Sequence, residues 1–159
     1  GIMAVPLAVG KMAELLKLYR DAWKSAGHPG QGRVILAFQM FCAPTSEEAI
    51  AIARQPLNNY LKCLVEAASD WLIDTDYPDY DRYNKIIAGL KQETFESQVD
   101  KGAAWIGTPE QLRKTIRGYY EQVGGFDFAS MQVNFNTMSV ENAAASMKLF
   151  AKAVMPYFC

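Results

Sequence analysis

The stretch Ala103–Phe135 (AAWIGTPEQLRKTIRGYYEQVGGFDFASMQVNF) admits few folds, because strand, capped helix, stop and strand follow one another without a gap. Ala103–Ile106 is apolar and ends at Gly107. Thr108 stands where an N-cap belongs, with Pro109 at the first helical position and Gln111 three residues after the cap. Helical spacing then runs through Leu112, Ile116, Tyr119 and Tyr120, and Gly124-Gly125 stops it. Phe128–Phe135 alternates: Ala129, Met131, Val133 and Phe135 point one way, and Ser130, Gln132 and Asn134 the other. Two strands joined by a helix of this length form a βαβ unit of a parallel sheet.

A chain of 159 residues, half of them hydrophobic, buries one sizeable core and reads as a single domain over 1–159. Its net charge of −1 offers nothing to nucleic acid or to an anionic membrane. The longest apolar run, Val34–Phe38, is far too short to span a bilayer, and no signal peptide is seen. Cys42, Cys63 and Cys159 lack metal-ligand spacing and read as reduced thiols of a cytoplasmic protein. With His28 the single histidine, no zinc site is expected.

From the start of the chain, Met3–Leu7 suits a short strand and Lys11–Ala26 an amphipathic helix, with Met12, Leu15, Leu16, Tyr19 and Trp23 on one stripe. The absence of an initiator Met suggests a cleaved tag or a fragment. Gly27–Gly30 breaks the helix, and His28 within it reads as a loop residue rather than a catalytic base. Arg33–Cys42 (RVILAFQMFC) is apolar on both faces, as a parallel strand covered on both sides would be. Gln39, near its carboxyl end, is either a hydrogen-bonded core amide or a residue lining a site. Thr45–Glu48 has capping-box spacing and opens a helix to about Arg54. Pro56 interrupts that helix, and Leu57–Leu72 continues as a second one. Asp74–Tyr83 (DTDYPDYDRY) lacks the glycine and terminal Glu of a calcium loop and reads as a tyrosine-anchored turn. Helices over Tyr83–Leu90, Glu93–Val99 and Val140–Val154, the last capped by Ser139, complete the chain.

Strands alternating with helices imply an α/β architecture, in which ligands bind at the carboxyl ends of the strands. Those ends carry Gln39 and Phe41, then Trp105 and Gly107, then Gln132, Asn134 and Asn136. Trp105 suits stacking on a planar ring or packing in the core. Asn134 and Asn136 suit binding a polar group or shaping a turn. Were the polar face of Phe128–Phe135 turned to solvent, the sheet would be antiparallel with one open side; turned into a barrel, that face lines a pocket floor. No general acid, base or nucleophile stands out, so catalytic residues stay unknown and no metal site is expected. A phosphate at the helix opened by Thr108 is an alternative to a plain N-cap.

Taken together and in order, YRDAWKSAGHPG (Tyr19–Gly30), RVILAFQMF with PTSEEA (Pro44–Ala49), IGTPEQL (Ile106–Leu112) and FAKAVMPYF (Phe150–Phe158) resemble the bacterial luciferase-like, flavin-dependent monooxygenases. RQPLNNYLK (Arg54–Lys62) and the DYPDYD insertion are similar to the branch found in natural-product biosynthesis. That branch often carries a His where Gln39 stands here. The resemblance implies a (β/α)8 TIM barrel that binds reduced FMN, or F420 in some branches, and uses oxygen on a small-molecule substrate with electrons from a flavin reductase. It covers the carboxyl-terminal part, the last three or four βα units with a helical insertion; a whole barrel takes roughly 250 residues. By their place at the strand ends, Trp105 and Asn134 are the cofactor-binding candidates, and Gln39, Phe41, Gln132 and Asn136 the substrate-binding ones.

A partial barrel has open strand edges, so the chain is expected to self-associate or to belong to a longer polypeptide. The alternative is a non-catalytic half-barrel that binds or assembles and has lost the flavin site. A dimeric ferredoxin-like α+β domain is disfavoured by the parallel-type strand Arg33–Cys42.

Overall fold

Everything in the molecule is arranged about the long strand of the RVILAFQMFC segment, here β2 (Val34–Cys42). The computed structural model describes residues 1–6, 11–69 and 81–158, with the backbone alone for 81–84 and 86. Around β2 lie β1 (Ile2–Ala4), α1 (Lys11–Ser25), α2 (Ser46–Ser69), α3 (Asp81–Leu90) and α4 (Phe95–Asp100). The order continues with β3 (Ala104–Gly107), α5 (Pro109–Gln122), β4 (Phe128–Gln132), α6 (Val140–Ala153) and a 3₁₀ turn over Met155–Tyr157.

The four described strands form one parallel sheet in which β2 pairs with each of the others. Successive carbonyls of a strand point to opposite edges, and that decides the order. The Arg33 carbonyl accepts from the Ile2 N–H on one edge, and the Val34 carbonyl accepts from the Asp127 N–H on the other. Gln39 pairs with Ala104 of β3 and with Gln132 of β4. Thus β1 and β3 lie end to end along one edge of β2, and β4 takes the other. Consecutive barrel strands would put β3 between β2 and β4; here β2 lies between them.

Alternation divides the sheet into two faces. Val34, Leu36, Phe38, Met40 and Cys42 share theirs with Trp105 and Met131, and pack against α1, α5 and α6. We call this the helix-side face. The other carries Ile35, Ala37, Gln39 and Phe41; α2 and α4 cover its carboxyl-terminal end through Ala53, Leu57, Leu61 and Phe95.

Several sequence expectations shift here. The first strand ends at Ala4, and Leu7 lies outside the described residues. Pro56 does not divide α2: Ala49, Ala53, Leu57 and Leu61 recur every four residues and are all buried, and that stripe outweighs the roughly 3 kcal/mol cost of an internal proline. The helix is described to Ser69, so Leu72, like the 74–80 part of the acidic turn, falls outside the description. α4 begins at Phe95 because Thr94 and Ser97 form its capping box. Ladder pairing of β4 stops at Gln132 rather than Phe135. Farther along that edge the Cys42 N–H donates to the Ser146 hydroxyl of α6 at 2.8 Å, so it is closed to a longer strand.

The organising stretch folds as its residues dictate. Thr108 and Gln111 form a reciprocal capping box with Pro109 behind them. Gly124 and Gly125 adopt φ of 71° and 91°, left-handed values that suit glycine at a helix stop. Arg20 of α1 then donates to the Gly125 carbonyl at 2.6 Å, tying the first helix to the end of α5.

Candidate functional site

Three polar side chains meet on the face away from the main helix core. Gln39 is only 1% exposed, and its Nε2 donates to Gln132 Oε1 at 2.8 Å. Register requires this: the two residues pair directly across β2 and β4, so their side chains leave the sheet together. The third is Tyr60 of α2. Burial raises its pKa, and a hydrogen bond with the Gln39 amide draws it part of the way back. The cluster therefore joins two strands and a helix through neutral donors and acceptors. None of the three gains or loses a proton at neutral pH, since the tyrosine is held above its ordinary value.

Around it the face changes character along its length. Toward the carboxyl end, Phe41 is buried with Ala104 and Ile106 beneath α2, so it packs rather than lines an opening. Toward the amino end, Met3, Ile35 and Phe128 are in register across β1, β2 and β4. Met3 is 63% and Phe128 54% exposed, an apolar row facing solvent. Ser130, Gln132 and Asn134 are exposed as well. The polar side of the last strand thus faces solvent in a sheet that is nevertheless parallel, a combination outside both sequence alternatives.

Of the residues named from sequence, Gln39 and Gln132 are brought together. Asn136 has a left-handed φ of 50°, and its Nδ2 donates to Cys63 Sγ of α2 at 3.7 Å, so it shapes the turn after β4 and ties it to α2. Asn134 is exposed and bonds to no described residue. Trp105 lies on the opposite face: it is 1% exposed, stacks on Phe38 with ring centroids 3.9 Å apart, and donates its Nε1 to the Gly102 carbonyl at 3.1 Å. Pairing with Met40 turns it there, away from Gln39 and Asn134. Tyr60 is the residue that sequence reasoning missed. Its only signal is the four-residue spacing of α2, which places it beside Leu57 and Leu61 once the helix is known to run through Pro56.

Other candidates resolve into structural roles. The N-terminus of α5 is closed by its own residues, with Thr108 Oγ1 accepting from Gln111 N and Gln111 Oε1 accepting from Thr108 N and the Ser46 hydroxyl. That arrangement is a plain N-cap, not a phosphate cradle. His28 lies against Trp23 with tilted rings, 4.6 Å between centroids, in the turn after α1. Among the described residues no three His, Cys, Asp or Glu side chains converge as a metal would require. Nor is any described helix long and apolar enough to cross a membrane.

A family model described as luciferase-like monooxygenase matches residues 1–125, stopping just before β4. No curated protein matches the sequence. Solved structures do. Monooxygenase RslO1 from Streptomyces bottropensis is 25% identical with a TM-score of 0.69, over all of this chain and 42% of its own. The oxygenating constituent of 3,6-diketocamphane monooxygenase from Pseudomonas putida, a type II Baeyer–Villiger monooxygenase solved with FMN, has a TM-score of 0.70 at 19% identity over 99% of this chain and 42% of its own. Riboflavin lyase, solved with modified FMN and riboflavin, has a TM-score of 0.60 at 18% identity, over 98% of this chain and 37% of its own. The chain thus spans about two fifths of the length of these structures, and the latter two likenesses concern the fold.

Proposed function

Because the chain belongs to the luciferase-like monooxygenase family, we propose that it serves a flavin-dependent monooxygenase, with FMN as cofactor and a small organic molecule and oxygen as co-substrates. The observation that carries this reading is the Gln39–Gln132–Tyr60 cluster beside an uncovered apolar row. Amide and hydroxyl groups of this kind match the donor and acceptor edge of a flavin ring, and Ile35 and Phe128 offer its apolar part a surface. The start of α5 offers little to a phosphate, since its capping box occupies the N–H groups of Thr108 and Gln111. Gln39, Gln132 and Tyr60 would hold the ring, Asn134 and Asn136 would border the substrate, and the phosphate would be held by residues outside this chain.

When bound, reduced flavin supplies the electrons that activate oxygen; the protein's part is to bind, orient and exclude water. Gln39 fixes the donor and acceptor pattern because it is buried and already held from two sides. Gln132, exposed on its outer side, is the member free to exchange partners with a ligand.

In this reading β2, β3 and β4 supply the last three strands of an eight-stranded barrel. Three strands of eight agree with the two fifths of its relatives' length that the chain spans. The remaining strands, from a longer polypeptide or a second copy, would cover Met3, Ile35 and Phe128, and a separate reductase would deliver electrons. We place the protein in the cytoplasm, where Cys42 and Cys63 remain the free thiols seen here. One observation favours the second reading, a non-catalytic module: β4 occupies the edge of β2 that the preceding barrel strand would need.

Titration of the 159-residue chain with FMN, followed by flavin fluorescence, tests the reading. Saturation at micromolar flavin, weakened at least tenfold in the Gln39→Leu/Gln132→Leu variant at unchanged circular dichroism, supports the enzyme reading. No binding up to millimolar flavin leaves the flavin site to the remaining strands, or marks a module that has lost it.

A further inference from the structure

A second opening lies on the opposite, helix-side face. α5 packs on β3 and α6 on β2, and neither lies squarely over β4. The gap is a hollow of about 400 Å³, within the usual size of small-molecule sites. Its floor is Ala129 and Met131 of β4, where alanine leaves room that a larger side chain would fill. Phe126 forms the wall, with Tyr120 5.3 Å away edge-on and Trp105 at 6.5 Å behind it. Phe158, 42% exposed, forms the lip.

Two charged groups at the mouth set the chemistry. Arg117 and Glu121 stand one helical turn apart on α5, and they form no ion pair with each other. The Arg117 guanidinium lies 5.8 Å from the Phe158 ring centroid. A third charge, Asp127, is already engaged, accepting from the Val34 N–H at 2.8 Å. A carboxylate ligand would meet two acids there, and an amine would meet Arg117. A neutral group that both accepts and donates, such as a phenol or a primary amide, suits both free side chains. Aromatic walls select a planar ring behind it.

We propose that this hollow is a binding site for a small, neutral aromatic molecule bearing one hydroxyl or amide, separate from the Gln39–Gln132–Tyr60 face. Its floor and lip come from residues beyond the matched segment 1–125, so the family match does not account for it. It stands whether or not flavin binds across the sheet.

The test uses 2-naphthol as probe with the whole 159-residue chain, followed by calorimetry and by methionine methyl NMR. The expected result is one saturable site below about 1 mM, with the Met131 and Met155 signals moving and that of Met12, in the core, unmoved. Ala129→Phe should weaken binding at least tenfold, and Arg117→Ala/Glu121→Ala several-fold. Should Ala129→Phe fail to fold, Phe158→Ala at the exposed lip should still weaken binding several-fold. Absence of saturation, equal affinity in the filled or lip variant, or displacement of the naphthol by FMN would overturn the proposal.

Discussion

The two faces of β2 are built from one nine-residue strand and end in opposite conditions. On the helix-side face Val34, Leu36, Phe38 and Met40 are at most 1% exposed, and Phe38 alone meets the rings of Trp105, Tyr119 and Phe126. Two titratable groups there are pushed toward their neutral forms by burial, Tyr119 up to about 12 and Cys42 up to about 11. On the other face Phe41 is sealed under α2, Gln39 is buried but polar, and the row from Ile35 outward to Met3 and Phe128 meets solvent. Over β2 the first face is finished by this chain alone, and only the stretch over β4 is left hollow. The other is finished only at its carboxyl-terminal end, and the polar cluster sits at the boundary. Stability should therefore reside on the first face over β2, and the hydrogen-bonding chemistry of Gln39, Gln132 and Tyr60 on the second.

The largest way to break that contrast is at Phe38. Truncation to alanine removes a stacked and edge-contacted ring from close-packed surroundings, and is expected to cost about 3–5 kcal/mol in urea unfolding. A loss under about 1 kcal/mol would mean that the helix-side core is not the stabilising half.

Much of this was legible in the residues, and the exceptions have physical causes. The α5 capping box, the glycine stop and the two-sided apolar strand follow from short-range chemistry, which the sequence states directly. The pairing of Gln39 with Gln132 was half legible: alternation placed each on a face, but only the sheet order brings them into one register. That order is the part local reasoning misses, because β3 and β4 are joined by α5 and yet take opposite edges of β2. Trp105 shows the same limit. Its place at a strand end was clear, but the face it points to depends on one residue of register with Met40. Pro56 shows another, since a long-range buried stripe on α2 overrode a local breaker.

The cover over the finished end of the second face depends on an acid. Glu93, 9% exposed, accepts from Ser97, Gln98 and Lys101 at the start of α4, whose Phe95 packs beneath α2. Burial alone would raise its pKa, but these three donors outweigh it and hold the carboxyl below its usual range. A depressed folded value means stability that is complete above the unfolded pKa of about 4.3 and is lost as pH falls through the folded value. Glu93→Gln is expected to lose on the order of 1–2 kcal/mol at pH 7 and to flatten the decline below pH 4. A parallel decline in wild type and variant would show that the α4 lock does not titrate.

The smallest expected effect is the sharpest for the comparison. Phe128 is as large as Phe38 and sits on the same sheet, but it is 54% exposed. If the second face is open in solution, Phe128→Ser changes unfolding free energy by no more than about 0.5 kcal/mol and leaves the sedimentation coefficient unchanged. If instead a second copy covers the row, the same substitution lowers stability in a concentration-dependent way, because dissociation then precedes unfolding. The first outcome leaves the row to strands of a longer polypeptide. The second makes self-association the way this face is finished, and with it the boundary on which Gln39, Gln132 and Tyr60 stand.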